Sequence, residues 1–522
     1  MKRTLTVAGI LLGILAAVFL SWASRSTPYV RDRIIAALNA QYDSRLEADV
    51  LQVGVFPHPY ISGEGLRLRY RGRTDVPPLI ALGAFQASAG IPGLLGTPIH
   101  LRTVTLDHLD IRVPPGGIDR DAPEPDVVHG APPAAVATSG RPAAPTLVID
   151  EIISRAARLE IASGKPGRLP RVWDIENLVL AGYGEPAGAR FRAALINPVP
   201  RGRIETSGTF GPWNPGHPGQ TAVRGDYDFS NANLDVIDGI SGILSSTGTF
   251  GGVLERLEVN GRTDTPDFGV DVGGQRVPLT TRFKALVDGT NGDTWLERVD
   301  AVLGETAIAA SGAVVRTEDV KGRRVALDVQ VAQGRLEDLL RLAVHTPKPP
   351  LTGRIDLTTT LLLPAGAGKV VDRLQLAGRF TLAQARFTNI DVQKKITTLS
   401  QRGRGDEHAD GTGTSVVSNL RGRFALRHAE LSFSELAFAV PGATVQLTGT
   451  YKLRGETMDF SGDLLTDASL ADMTSGVKAM LARLAQPFFR RRGGGSKFPI
   501  RITGTRANPS FRVDLRRILP GH

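Results

Sequence analysis

Short runs in which apolar and polar residues alternate recur along most of this chain of 522 residues. Examples are GLRLRYR at 65–71, VALDVQV at 325–331 and VQLTGTYKL at 445–453. Successive side chains of a β-strand point to opposite faces, so a period of two predicts strands with one apolar and one polar face. We therefore expect a mainly β chain.

Glycine recurs inside these strands in short signatures such as SGTF and TGTY. The signatures lie at 207–210, 247–250, 311–314, 352–355, 377–380, 421–424, 448–451 and 503–506. A glycine within a strand marks a bulge, a bend or a close approach of two backbones. The repetition suggests a persistently curved sheet, and its irregular spacing argues against a propeller. An ordinary large antiparallel β protein is the alternative.

Residues 4–23 form a run without charge, TLTVAGILLGILAAVFLSWA. A helix of this length would be about 30 Å long, the thickness of the hydrocarbon core of a bilayer. Lys2 and Arg3 favour a cytoplasmic N-terminus. We therefore predict a single-pass inner-membrane anchor, with the bulk of the chain in the periplasm. The residues of this predicted anchor are Leu5, Ile10, Leu11, Leu12, Ile14, Leu15, Val18, Phe19, Leu20 and Trp22, of which Trp22 would lie at the membrane interface.

A cleaved signal peptide is the alternative to the anchor. Ser21 and Ala23 place small residues at the positions that a cut after Ala23 would require. The apolar run is longer than the usual core of about 7–15 residues in a signal peptide, which favours the anchor. Under both interpretations, the rest of the chain is exported from the cytoplasm.

The pattern divides the chain into five regions. They are a cytoplasmic stub and anchor at 1–25, a short helix and strands at 26–113, a Pro/Ala-rich linker or loop at 114–145, a repetitive β region at 146–465, and a closing region at 466–522. In the closing region the apolar period changes to that of an amphipathic helix, which is followed by two aromatic residues. This candidate membrane-proximal segment comprises Leu470, Met473, Val477, Leu481, Leu484, Phe488 and Phe489. A helix that simply packs on the β core is the alternative.

The sequence contains no pattern that indicates catalysis or a cofactor. There is no cysteine, and the nine histidines are scattered without metal-ligand spacing. Nucleophile elbows and phosphate-binding glycine loops are also missing from the sequence. We therefore expect no enzymatic activity, no metal and no cofactor. The net charge of +10 is spread along strands and suits anionic lipid better than nucleic acid, which an exported chain rarely meets.

Several longer segments resemble the AsmA-like family of Gram-negative envelope proteins, which includes relatives of TamB and YhdP. They are ISGEGLRLRYRG at 61–72, VTLDHLDIRVPP at 104–115, VDGTNGDTWLERVDAVLGETAIAASG at 287–312, VPGATVQLTGTYKLRGETMDFSGDL at 440–464 and FPIRITGTRANPSFRVDL at 498–515. The order of anchor, short helix, strands and late helix is also similar. The linker at 114–145 and the RRRGGG loop at 490–495 depart from the family pattern.

The resemblance implies an elongated, curved antiparallel β-sheet groove that is chorein-like at its N-terminal end. Such a groove would hold phospholipid acyl chains and aid lipid transfer and outer-membrane homeostasis. Its candidate lining comprises Leu66, Leu68, Tyr70, Leu109, Ile111, Val113, Leu357, Leu361, Leu363, Val445, Leu447 and Tyr451. An assembly factor or scaffold for outer-membrane and other envelope proteins is the alternative, since sheet edges can pair with client strands. An exported enzyme is a remote third reading.

Overall fold

A computed structural model describes the chain over residues 44–113, 147–161, 171–469 and 494–513, apart from short gaps. The gaps fall at 48, 55–59, 71–77, 79, 91, 94–97, 213–216, 272–273, 318–319, 345, 407, 412–415 and 507. The predicted anchor, the short helix after it, the linker at 114–145 and the helical segment from Leu470 to Phe489 therefore lie outside the described residues.

The described chain is mainly β, as the alternation predicts. The first strands are β1 (Ser44–Glu47), β2 (Val50–Gly54), β3 (Tyr60–Tyr70), β4 (Ile80–Ala89), β5 (Ile99–Val113), β6 (Leu147–Ser154), β7 (Ala157–Ile161), β8 (Arg171–Tyr183), β9 (Ala189–Pro198), β10 (Arg201–Phe210) and β11 (Ala222–Asn233). The next are β12 (Ile240–Ser241), β13 (Ile243–Val253), β14 (Arg256–Val270), β15 (Val277–Val287), β16 (Thr294–Leu303), β17 (Thr306–Arg316), β18 (Arg323–Arg335) and β19 (Leu351–Leu363). The last are β20 (Gln375–Phe387), β21 (Ser418–Arg427), β22 (Glu430–Val440), β23 (Ala443–Lys452), β24 (Thr457–Thr466), β25 (Ser496–Thr505) and β26 (Pro509–Val513).

The chain divides into two compact units. The N-terminal unit holds the described residues up to Asn233 together with Ser245–Gly261 and Val287–Asn291. The C-terminal unit holds Leu234–Leu244, Arg262–Leu286 and the described residues from Gly292 onward.

In the N-terminal unit, β1 and β2 pair one after the other with β3, and β3–β4–β5 follow as antiparallel neighbours. β5 then pairs in parallel with β6 along its first half and with β7 along its second half. Both short strands pair antiparallel with β8, and β8–β9–β10–β11 continue as hairpins. The expectation of a purely antiparallel sheet is therefore wrong at β5. Ile99, at the start of β5, faces Leu147, at the start of β6, so Val113 and Leu147 lie at opposite ends of β5.

In the C-terminal unit, the strands from β16 to β26 form an antiparallel meander in which each strand pairs with the next. Register shifts interrupt several of these pairs, including those between Val331 and Gly334 in β18 and between Leu382 and Ala385 in β20. Such bulges increase the local twist and bend the strand.

Among the described residues, helices interrupt the meander at three connections. They are α1 (Leu336–Ala343), α2 (Val370–Arg373) and α3 (Ile390–Gly403). The alternation at 146–465 predicts none of them, because α1 and α2 are short and the sequence of α3 is largely polar. Asn389 caps α3, since its side-chain oxygen accepts hydrogen bonds from the backbone N–H groups of Asp391 and Val392.

Two clusters of buried apolar side chains stabilise the sheets. The larger belongs to β3–β6 and contains Ile61, Ala87, Ala89, Ile99, Leu101, Val104, Leu147, Ile149 and Ile152. The smaller lies beneath α1 and contains Val331, Ile355, Leu382 and Ala385, with Leu336 and Leu339 of the helix packed against it.

Candidate functional site

One face of the C-terminal meander is apolar across nearly all of its strands. Residues directly opposite each other in an antiparallel pair lie on the same face, so the register defines rows that run across the sheet. One row holds Leu327, Leu361, Leu376, Leu426, Leu431, Tyr451 and Met458. A second holds Val331, Leu357, Phe380, Leu436, Leu447 and Ile500, and a third holds Ile355, Leu382, Leu420, Phe438, Val445, Leu464 and Phe498. We call this surface the apolar face.

Most side chains of the apolar face are only half-buried. Val331, Ile355 and Leu382 are buried where α1 covers them, whereas Leu357, Leu361 and Leu447 keep part of their surface accessible. At the far edge, Phe511 of β26 is 70% exposed. Contiguous apolar surface that stays accessible marks interaction or ligand-binding surfaces in soluble domains.

The opposite face of the same strands is polar and carries ion pairs between neighbouring strands. Lys497 Nζ lies 3.1 Å from Asp463 Oδ2, and Arg501 Nη2 lies 2.9 Å from Asp459 Oδ2. These pairs are exposed and contribute little stability, about 0–1 kcal/mol each. At these two pairs, the polar face is accessible to solvent.

The glycine signatures on β20 and β21 explain how large rings fit on the apolar face. In AGRF at 377–380 and RGRF at 421–424, the glycine and the phenylalanine are two residues apart and share a face. The strands pair so that Gly378 faces Phe424 and Phe380 faces Gly422. A Cβ at Gly422 would lie 3.0 Å from the Phe380 ring. Gly422 therefore leaves the space that the Phe380 ring occupies, whereas a Cβ at Gly378 would lie 2.4 Å from the backbone oxygen of Thr358.

The same arrangement recurs at Gly449 of β23. Gly449 lies between Phe433 and Phe460 on its two neighbouring strands, and a Cβ there would lie 2.8 Å from the Phe460 ring. The rings of Phe433 and Phe460 meet over this glycine with their centroids 5.9 Å apart. Phe380 and Phe424 form a similar tilted pair at 6.3 Å. Tilted pairs at this distance are favourable for aromatic rings.

The structure brings some of the sequence-predicted lining residues together. Leu357, Leu361 and Leu363 of β19 share the apolar face with Val445, Leu447 and Tyr451 of β23. In particular, Leu357 and Leu447 occupy one row, four strands apart.

The N-terminal lining residues form a separate group in the other unit. Leu66 and Leu109 both face Leu82 of β4, and Leu109 is buried. Ile111 is half-buried and faces Ile80. The side chains of Leu68, Tyr70 and Val113 lie outside the described residues, as do all the predicted anchor and membrane-proximal residues.

The phenylalanine side chains of the apolar face are absent from the predicted lining. They include Phe380, Phe424, Phe433, Phe438, Phe460 and Phe498. The signal for the first two is in the sequence, because the fourth position of several glycine signatures is aromatic. The sequence does not show that a glycine of one signature faces the phenylalanine of another, because this requires knowing that two signatures lie on neighbouring strands.

Within the part of the chain that the structure describes, no helix is long and apolar enough to cross a membrane, and no group of three or more His, Asp or Glu residues could hold a metal ion. No family model, curated protein or solved structure matches the chain.

Proposed function

We propose that this protein is an inner-membrane-anchored periplasmic protein of the AsmA-like type that binds phospholipid acyl chains on its apolar face and aids lipid transfer. The observation that carries the proposal is the one-sided character of the C-terminal meander. Its apolar rows cross many strands and remain half-exposed, while its other face is polar. An acyl chain would lie along the rows, so that the apolar face lines a groove. The headgroup of the lipid would stay in water.

The dimensions and energetics of the apolar face support this proposal. At about 4.8 Å between neighbouring strands, the strands from β16 to β26 provide an apolar track on the order of 50 Å long. Each CH₂ group that leaves water for such a track gains about 0.8 kcal/mol. A surface of this kind can carry lipid through water without a covalent step or a cofactor, because each contact along the track resembles the next.

Adjacent positions on β23 give a matched test. Leu447 is half-buried on the apolar face, and its neighbour Gln446 is exposed on the polar face. A photoreactive phenylalanine analogue at 447 in the full-length chain should crosslink phospholipid in cells, whereas the same analogue at 446 should not. Leu357 and Thr358 provide a second pair on β19. The adducts are identified by mass spectrometry.

Equal lipid crosslinking at 446 and 447 would contradict a one-sided lipid site. Crosslinks from 447 to other polypeptides, with no lipid adduct, would instead identify the apolar face as a protein-binding surface and overturn the proposal. Thermal unfolding of each variant shows whether the substituted chain remains folded.

A further inference from the structure

The polar face of the C-terminal meander carries a cavity that the proposed lipid-binding function does not use. Its volume is about 560 Å³, and it crosses five neighbouring strands from β17 to β21. The polar residues around it include Ser311, Asp328, Gln330, Thr358, Arg379 and Arg423. The cavity is open to solvent and not enclosed.

Small and long side chains on neighbouring rows create this cavity. One row of the polar face runs through Ser311, Asp328, Thr360 and Ala377, three of which are short. The next row runs through Gln330, Thr358, Arg379 and Arg423, where three side chains are long. The short row provides a floor and the long row a wall, so the two guanidinium groups border the open space.

The charges of the wall are unbalanced. Arg379 and Arg423 are directly opposite each other on β20 and β21, a placement that is unfavourable for like charges. Arg379 makes no hydrogen bond or ion pair with another described residue. Arg423 Nε is 3.8 Å from Glu435 Oε2, and Arg421 shares the same carboxylate at 3.7 Å. The pair therefore presents more positive charge than the neighbouring side chains neutralise.

We infer that Arg379 and Arg423 form an anion site for a phosphoryl group, with Thr358 beside them as a hydroxyl donor. Guanidinium groups recognise phosphate oxygens through paired hydrogen bonds, and a doubly charged anion between them would remove the repulsion. Asp328, at the other end of the cavity, is exposed and would face the part of the ligand away from the phosphate. This site goes beyond the proposed function, because the sheet itself separates it from an acyl chain on the apolar face.

Phosphate binding by the full-length chain tests the inference. Inorganic phosphate is titrated at constant ionic strength by calorimetry, with chloride as the reference anion. Arg379→Gln and Arg423→Gln should each weaken phosphate binding at least about 10-fold, because each removes one charged hydrogen-bonding partner. Arg386→Gln is the matched control, since Arg386 is an exposed arginine on β20 that does not border the cavity.

Thermal unfolding separates a binding defect from a folding defect. Without phosphate, Arg379→Gln should unfold at the same or a higher temperature than the wild type, because it relieves the like-charge pair. With phosphate, the wild type and Arg386→Gln should gain more stability than Arg379→Gln and Arg423→Gln. Equal phosphate affinity in all four proteins, or an equal loss in Arg386→Gln, would overturn the site.

A further arm distinguishes a free phosphoryl solute from a lipid headgroup. Glycerophosphoethanolamine, which has no acyl chains, should bind the wild type and should also bind Leu447→Asp, whose apolar face is disrupted. Binding seen only with vesicles of diacyl phospholipid, and lost in Leu447→Asp, would assign the phosphate to a lipid on the apolar face and overturn a separate site. Failure of phosphate to bind would leave the crosslinking result at 447 unaffected, so the two proposals fail independently.

Discussion

One cluster of apolar side chains in β3–β6 is almost completely buried, whereas the apolar side chains of β19–β25 are mostly half-exposed. Ile61 and Val104 are 2% and 7% accessible, but Leu447 and Leu361 on equally regular strands keep more of their surface in solvent. Both regions arise from the same alternation of apolar and polar residues. The comparison shows that alternation determines which face of a sheet is apolar and leaves open whether anything covers that face.

Shortening one side chain in each region should produce the largest difference in stability between the two regions. Ile61→Ala should destabilise the N-terminal unit by about 2–5 kcal/mol, because it leaves a cavity in a sealed cluster. Leu447→Ala should cost the C-terminal unit about 1 kcal/mol, since part of that side chain is already in water. Hydrogen exchange of the strands in each unit measures both values. Equal costs would show that the apolar face is as well covered as the buried cluster.

Asp338 provides the next largest expected effect, in the covered part of the C-terminal unit. Its carboxylate is 1% accessible and accepts hydrogen bonds from the Glu305 N–H at 3.0 Å and the Thr306 hydroxyl at 2.9 Å. These bonds join α1 to the β16–β17 turn. Asp338→Ala should cost about 1–3 kcal/mol because it removes the acceptor of the Glu305 N–H and the shorter of two hydrogen bonds of the Thr306 hydroxyl, which also lies 3.2 Å from the Arg335 carbonyl oxygen.

Asp328→Ala is the control for Asp338, since Asp328 is an exposed aspartate of the same unit. Its substitution should change the free energy of unfolding by less than about 0.5 kcal/mol. A similar cost at both positions would show that the α1 contact contributes nothing specific.

The glycine–aromatic arrangement gives a third expected effect. Gly422→Val should cost about 1–3 kcal/mol, because the new side chain meets the Phe380 ring and the backbone oxygen of Glu435. Adding Phe380→Ala should make the double variant less unstable than the sum of the two single variants, as expected for residues in contact. Chemical denaturation of the four proteins completes the cycle. Additive costs would show that the ring does not occupy the space above the glycine.

The smallest expected effect is a pH dependence at Glu337 on α1. Burial of this carboxyl group acts to raise its pKa, but hydrogen bonds from its own backbone N–H, from Arg335 and from the Gly353 N–H together outweigh burial and lower the pKa below the ordinary value of 4.5. A lowered folded-state pKa stabilises the fold above the unfolded-state pKa, and this stabilisation is lost as the pH falls through the folded-state pKa.

Glu337→Gln should therefore reduce the loss of stability between pH 7 and pH 3. Denaturation midpoints measured across this range provide the comparison. Parallel curves for the wild type and the variant would contradict a lowered pKa at this carboxyl group.

Much of the local structure could be predicted from the sequence. The alternation at 325–331 and 445–453 coincides with β18 and β23, and Leu447 follows from it as a side chain of an apolar face. The helices α1 and α3 could not be predicted in this way. α1 is eight residues long, and α3 is dominated by polar residues, so neither produces a long apolar stripe.

The polar cavity also could not be predicted from the sequence. Arg379 and Arg423 are 44 positions apart, and each is one of many arginines that alternate with apolar residues along strands. Only the register of β20 with β21 places them opposite each other. The register in turn depends on the bulge between Leu382 and Ala385, which shifts the pairing by one residue.

Three properties follow from the sequence alone: the described chain is mainly β, its strands have one apolar face, and glycines lie within those strands. These properties are local, because the side-chain period of a strand is two whatever its partner is. Three further properties depend on the tertiary structure: β5 pairs in parallel with β6 and β7, one glycine signature faces another, and a cluster in β3–β6 is buried while the β19–β25 face is half-exposed. Pairing and coverage join residues that are distant along the chain, and the alternation carries no information about which strands will meet.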